Sequence, residues 1–83
     1  MNMEKKKDTK VHFTSREKDI MSLLLFGLTN REIADKLIVT THTVRVILEH
    51  IYEKTSCHNR VQLVVYILKN KIMEIPDTDN ILQ

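Results

Sequence analysis

Four residues within positions 42–49 have side chains that could read the edges of DNA bases. His42, Arg45, Val46 and Glu49 recur at intervals that place them on one face of a helix. A guanidinium group such as that of Arg45 can donate to guanine O6 and N7 or bind a phosphate, and a carboxylate such as that of Glu49 can accept from a cytosine amino group. Val46 is apolar among polar neighbours, and a valine can contact a thymine methyl group. Taken alone, Arg45 and Val46 are more often ordinary solvated surface than base-reading residues.

The opposite face of the same segment is apolar. Val44, Ile47, Leu48 and Ile51 are spaced as one buried helical face. The spacing predicts a helix over about Thr41–Lys54, with Thr40 or Thr41 as its N-cap. The four candidate base-reading residues would therefore lie on its outer, polar face.

A shorter helix is predicted immediately upstream. Thr29 and Glu32 form a capping box, and the apolar residues that follow predict a helix over about Asn30–Leu37. The β-branched residues of "IVT" then resist continuation of the helix. A short capped helix, a tight break and a longer helix with a polar outer face form a helix-turn-helix pattern. In such a motif the second helix enters the major groove of DNA.

Two further helices complete an all-α, four-helix domain. Thr14 and Glu17 form another capping box, and Gly27 stands where a helix would end, which predicts a helix over about Ser15–Phe26. The last helix is predicted over about Arg60–Lys71 and is apolar around more than half of its surface.

The surplus apolar surface of the last helix has two explanations. Val61, Val64, Val65 and Leu68 form one stripe. The stripe could belong to the core, but together with Leu63, Ile67 and Tyr66 on flanking positions it exceeds what one side of a small domain can cover. We therefore favour a homodimer interface along it.

Length and composition set the remaining limits. The chain has 83 residues, enough for one domain, with a net charge of +2. We expect a flexible basic arm at 1–11, a folded domain at 12–73 and an acidic disordered tail at 74–83. The single cysteine excludes an intrachain disulfide and fits a cytosolic location. No apolar run reaches the roughly 20 residues that a membrane-spanning helix needs, and the N-terminus lacks the apolar segment of a signal peptide.

Enzymatic chemistry has little support in the sequence. There is no glycine-rich phosphate loop and no nucleophile with a base at a useful spacing, so we expect neither an enzyme nor a small-molecule ligand. His42, His50, Cys57 and His58 do not share a helix face at a zinc-ligand spacing. We therefore expect no metal and no cofactor.

Residues 13–54, "FTSREKDIMSLLLFGLTNREIADKLIVTTHTVRVILEHIYEK", resemble the DNA-binding domain of LuxR type, also called GerE or NarL type. The family pattern matches through Arg16-Glu17, Gly27, Asn30, Glu32-Ile33-Ala34, Leu37, Thr43-Val44-Arg45, Ile51 and Lys54. "NRVQLVVYILKNKI" is similar to the fourth helix, which carries the dimer contact in family members. The resemblance extends over about residues 13–73 and implies a four-helix domain of a bacterial transcription regulator.

The resemblance also implies roles for individual residues. Base contacts map to Arg45, Val46 and Glu49, next to which His42 lies on the same predicted face. Phosphate contacts map to Thr29, Asn30, Thr41, Thr43, Lys54 and Arg60. The chain departs from the pattern in two places: Ile47 replaces the usual histidine, and "KTSC" at 54–57 replaces "KLGV". Because the glycine is missing, the resemblance does not predict the geometry of the turn before the last helix.

Two functions from different classes follow. The favoured one is a sequence-specific, dimeric regulator that binds double-stranded DNA. The alternative is a protein-interaction module, such as an anti-activator, that kept the fold but lost DNA binding. Glu49, the low net charge and the unusual turn between the third and fourth helices favour the alternative, whereas the intact Thr43-Val44-Arg45, Asn30 and Lys54 favour the regulator. An initial methionine and a short arm favour a stand-alone regulator over a domain of a longer protein.

Overall fold

Residues 11–74 are described by a computed structural model in which four helices form and no strand occurs. The helices are α1 (Ser15–Leu25), α2 (Asn30–Leu37), α3 (Thr41–Thr55) and α4 (Arg60–Lys69). The predicted all-α fold is confirmed. The expected bounds differ by one or two residues at the ends of α1, α3 and α4. Apart from Val11 and Glu74, the basic arm and the acidic tail lie outside the described residues.

Each helix starts with a polar side chain that accepts from the backbone N–H three residues further on. The caps are Thr14, Thr29, Thr40 and Asn59. Both predicted capping boxes form, because Glu17 and Glu32 each accept in return from the N–H of their cap residue, at 2.9 and 2.8 Å. Thr40, not Thr41, caps α3 and accepts from the Thr43 N–H at 3.1 Å. These bonds satisfy N–H groups that a helix start leaves without partners.

Each helix is followed by a residue in the left-handed backbone region. In the described part of the chain these residues are Gly27 (φ 87°), Ile38 (φ 59°), Ser56 (φ 59°) and Lys71 (φ 55°). In each case the next residue donates its N–H to a carbonyl five positions back, at 2.9–3.3 Å. This is the Schellman arrangement, in which glycine is the usual residue. The turn before α4 therefore closes with Ser56 in the left-handed conformation, so the missing glycine does not prevent it.

The core lies between α3 and the other three helices, each of which α3 contacts. Its buried apolar residues are Ile20, Met21, Leu24, Ile33, Ala34, Val44, Leu48, Ile51, Leu63 and Ile67. The predicted inner face of α3 is thus buried, with the exception of Ile47, which is only partly buried. The central position of α3 means that its outer face is held by the packing of the whole domain. Within residues 11–74, no helix combines the length and apolar character needed to cross a membrane.

Candidate nucleic-acid interface

The outer face of α3 presents the residues that the sequence singled out. His42, Arg45 and Glu49 are exposed, as their spacing predicts. Val46 is only partly buried by its surroundings and keeps some exposed surface. The α3 face therefore offers a cation, an anion, an imidazole and a partly accessible apolar group along about two turns of helix.

A shallow depression next to this face brings the starts of α2 and α3 together with three arginines of the described chain. It is lined by Gly27, Leu28, Thr29, Asn30, Arg31, Thr41, Arg45 and Arg60. Four of the six residues predicted to contact phosphate are among them, beside Arg45. Guanidinium groups and helix N-termini both favour anions. The depression has the chemistry of a surface for a phosphate backbone.

Arg31 is a member of this depression that the sequence reasoning missed. It is an exposed residue, the second of α2. Its position directly after Thr29 and Asn30, both predicted phosphate contacts, is the signal that could have identified it. A third guanidinium strengthens the positive field of the depression.

A second shallow depression continues along α3. Its lining consists of Asn30, Arg45, Leu48, Glu49, Tyr52 and Arg60. Burial of the Tyr52 side chain raises the pKa of its phenol. The charge of Arg60 lowers this pKa and Cys57 raises it, and the net shift of the pKa is upward. The phenol is thus neutral near pH 7 and keeps its O–H donor. Tyr52 was not among the predicted site residues, because the apolar spacing of α3 does not indicate that Tyr52 lies beside Arg45 and Glu49.

Arg60 links α4 to the start of α2. Its NH1 group donates to Oδ1 of Asn30 at 2.9 Å, and its NH2 group donates to the carbonyl oxygen of Leu28. Two residues predicted separately as phosphate contacts, Asn30 and Arg60, are therefore bonded to each other. Both remain on the lining of the two depressions.

Thr43 lies at the start of α3, where its hydroxyl is engaged locally. The hydroxyl of Thr40 donates to Oγ1 of Thr43 at 3.1 Å. The Thr43 hydroxyl accepts in this bond and keeps its own hydrogen as a donor. A phosphate oxygen could still accept from Thr43 without loss of the cap.

Lys54, the remaining predicted phosphate contact, is engaged within the domain. Its ammonium group lies 2.6 Å from Oε1 of Glu17 and 2.9 Å from the carbonyl oxygen of His12. It also lies 5.7 Å from the centre of the Phe13 ring. Lys54 would have to leave a buried carboxylate to reach a phosphate, so the geometry favours a structural role for it.

Burial of Glu17 raises the pKa of its carboxyl group, and four interactions oppose this. Hydrogen bonds from Lys54 and from the backbone and side chain of Thr14, with the charge of Lys54, lower the pKa by more than burial raises it. Glu17 is therefore a capping residue, as predicted, that also anchors α3 to α1 through Lys54.

The apolar stripe of α4 is exposed. Val61 is 72%, Val65 53% and Leu68 37% exposed, whereas Val64 is partly buried. Leu63 and Ile67 supply the core contact from the other side of the helix. The surplus apolar surface noted in the sequence is therefore not absorbed by the domain core.

Metal ligands do not cluster in the described region. Within residues 11–74, no three histidine, cysteine or acidic side chains come together in a way that could hold a metal ion. The thiol of Cys57 is free and partly buried, and it makes a weak contact of 3.8 Å with the carbonyl oxygen of Thr55.

Comparison with known proteins places this geometry in a family. Residues 11–67 match the bacterial regulatory proteins of the luxR family. The chain is 36% identical over 62 residues to the uncharacterized transcriptional regulatory protein YxjL of Bacillus subtilis, covering 75% of this chain and 28% of that protein. It is 38% identical over 61 residues to the oxygen regulatory protein NreC of Staphylococcus carnosus, covering 74% of this chain and 28% of that protein.

A probable transcriptional regulator of Cyanophora paradoxa is 33% identical over 69 residues, covering 83% of this chain and 33% of that protein. The matched region thus spans about a third or less of the length of these relatives. The family match covers more than half of this chain and includes α1, α2, α3 and most of α4. On this match and on its four-helix architecture with a helix-turn-helix, the chain belongs to the luxR family of bacterial regulatory proteins.

Proposed function

We propose that the chain is a sequence-specific transcription regulator that binds double-stranded DNA through α3. The observation that carries the proposal is the depression beside α3, where Arg31, Arg45 and Arg60 surround the starts of two helices. The relatives named as transcriptional regulators support the same class of function. Because bacterial DNA lies in the cytoplasm, the proposal implies a cytoplasmic protein.

The residues divide into two roles. His42, Arg45, Val46 and Glu49 contact base edges in the major groove, since they share the outer face of α3. Thr29, Asn30, Thr41, Thr43, Arg31 and Arg60 contact or prepare contacts with the phosphate backbone, which positions α3 in the groove. Lys54 is left out of the second group because of its bond to Glu17.

Pairing of two chains through α4 completes the proposal. Val61, Val65 and Leu68 are exposed on one side of α4, and partly buried Val64 lies between them in sequence. Burial of this stripe against a second copy would remove apolar surface from water. A two-fold dimer reads two half-sites related by symmetry, about one helical turn of DNA apart.

The alternative, a protein-interaction module without DNA binding, rests on the exposed Glu49. A carboxylate on the outer face of α3 weakens the attraction to phosphates. The three arginines outnumber this single carboxylate at the depressions, so we favour DNA binding.

Salt dependence separates the two functions. Binding would be measured by the fluorescence anisotropy of a labelled DNA duplex over a range of salt concentrations. The first duplex has a random sequence, and the second contains a site that the protein selects from random DNA. For a DNA-binding regulator, log affinity falls linearly with log salt, with a slope of about −0.9 per phosphate contact. Absence of binding at low salt, or binding without a salt slope, would contradict the proposal.

A further inference from the structure

Arg60 holds two parts of the DNA-facing surface at once. Its guanidinium group donates from NH1 to the side-chain oxygen of Asn30 and from NH2 to the main-chain oxygen of Leu28. Asn30 is the first residue of α2, and Leu28 belongs to the loop before it. The first residue of α4 thus fixes the entrance to the helix-turn-helix, 30 positions away in the chain.

This contact decides which way the carboxamide of Asn30 faces. A guanidinium group has five N–H donors and no acceptor, so only the oxygen of a carboxamide can face it. The Leu28 carbonyl is itself an acceptor and takes a second N–H, which holds the plane of the guanidinium group. The orientation of the Asn30 amide therefore follows from donor and acceptor chemistry.

The amide nitrogen of Asn30 is then left as a donor. Among residues 11–74, no hydrogen bond uses Nδ2 of Asn30. Asn30 lines both depressions beside Arg45. The non-bridging oxygens of a DNA phosphate only accept hydrogen bonds, so the Nδ2 donor of Asn30 can bind a phosphate. In the opposite carboxamide orientation, Asn30 would present its oxygen and repel the phosphate.

We propose that Arg60 is a positioning residue for DNA binding, which holds Asn30 so that its Nδ2 group donates to a backbone phosphate. The inference rests on the proposed DNA binding and assigns the pair a joint role in it. It differs from a direct contact, in which the charge of Arg60 would act on the phosphate independently of Asn30. The two possibilities predict different effects of combined substitutions.

A double-mutant cycle distinguishes them. The variants are Asn30→Ala, Arg60→Lys and the double variant; lysine keeps the positive charge but lacks the rigid planar group whose two nitrogen atoms hold Asn30 and Leu28 in fixed directions. On a duplex of random sequence, we expect each single variant to bind about tenfold more weakly, the scale of a hydrogen bond to a charged group. The double variant should bind no more weakly than the weaker single variant. Losses that multiply would overturn the inference.

The matched control is Arg16→Lys, the same substitution at an arginine that pairs with Asp19 on α1 and lines neither depression. It should bind DNA like the wild type. Thermal unfolding would confirm that every variant is folded, and Asn30→Asp adds a second check. An aspartate keeps the acceptor for Arg60 but has no donor, so a folded Asn30→Asp variant that binds DNA like the wild type would also overturn the inference.

A measurement without DNA tests the positioning itself. Nuclear magnetic relaxation of the Asn30 side-chain amide should show an ordered group in the wild type and a mobile one in Arg60→Lys. Equal order in both would overturn the inference even if the wild type binds DNA. Failure of the wild type to bind any duplex would instead overturn the proposed function, and with it the role of Arg60 and Asn30 in DNA binding. The relaxation of the Asn30 amide would still show whether Arg60 orders Asn30.

Discussion

The ammonium group of Lys54 lies 2.6 Å from Oε1 of Glu17, although 37 positions separate the two residues in the chain. Glu17 caps the start of α1, and Lys54 lies in the last turn of α3. The carboxylate side chain is only 6% exposed, and the lysine side chain is 33% exposed. The pair therefore connects the helix that faces DNA in our proposal to the first helix of the domain through a largely buried charge.

Removal of Lys54 should destabilise the fold rather than only weaken DNA binding. Lys54→Met leaves the Glu17 carboxylate buried without its cation, and we expect the free energy of unfolding to fall by about 1–3 kcal/mol. Chemical denaturation measures this loss. The double variant Glu17→Gln with Lys54→Met should lose less free energy of unfolding than the sum of the losses of the single variants.

The exposed pair Arg16–Asp19 is the control, because Arg16→Met should change stability little. If Lys54→Met is as stable as wild type and lowers the salt slope of DNA binding by about one, Lys54 is a phosphate contact after all.

Acid should weaken the domain through Glu17. The pKa of this carboxyl group is lowered in the folded state from its ordinary value of 4.5. Between the folded-state pKa and the unfolded-state pKa, the unfolded chain therefore binds more protons than the folded chain. The stability from Glu17 is thus fully present above about pH 4.5 and is lost as the pH falls through the folded-state pKa. Denaturation midpoints measured over this range should decline more steeply for the wild type than for Glu17→Gln. Parallel curves for the two proteins would show that Glu17 does not carry this dependence.

Ile38 is held in a backbone conformation that a β-branched residue adopts rarely. Its φ is 59°, and its side chain is 89% exposed, so little burial compensates for the strain. Ile38→Gly should therefore stabilise the domain by about 0.5–1 kcal/mol, since the left-handed penalty exceeds the entropy cost of glycine. The reverse control is Gly27→Ala, which meets no atom within 4 Å and should destabilise through the backbone alone. A less stable Ile38→Gly variant would mean that the side chain makes a favourable contact that outweighs the strain.

Arg45 is one of the residues that we propose to contact base edges. Arg45→Ala should weaken binding to the selected site by about 1–3 kcal/mol, and relax the base preference at one position. Competition between the selected site and single-base variants measures both effects. Arg16→Ala is the control on a surface away from the depressions. Unchanged affinity and unchanged preference in Arg45→Ala would remove Arg45 from the base-reading set.

The α4 stripe is the predicted dimer interface. Val65 is 53% exposed, so Val65→Glu should leave the monomer folded but place a charge in the apolar contact and abolish cooperative binding to a palindromic site. Gel shifts with one and two half-sites, with circular dichroism for the fold, measure this. Gln62→Glu is the matched control: it adds the same charge on α4 and keeps the oxygen that accepts from the His58 N–H. Cooperative filling of both half-sites by folded Val65→Glu would place the interface elsewhere.

Local sequence signals determined most of the helix bounds. The capping boxes of Thr14 with Glu17 and of Thr29 with Glu32 form as predicted, because each bond joins residues only three positions apart. The bounds of α2 agree with the prediction at both ends. The sequence also predicted the inward-facing residues of α3 and the apolar stripe of α4, since the helical period alone decides which side chains share a face.

Only the tertiary structure decided which partners distant residues meet. Lys54 could be assigned to a phosphate by resemblance, but its bond to Glu17 depends on the way α3 packs across α1. The bond of Arg60 to Asn30 likewise requires α4 to return to the start of α2. Ser56 and Ile38 adopt the left-handed conformation, which residues other than glycine adopt uncommonly, so their residue types did not predict it. Helical period is a property of the chain itself, whereas long-range pairs and strained turns exist only once the core has assembled.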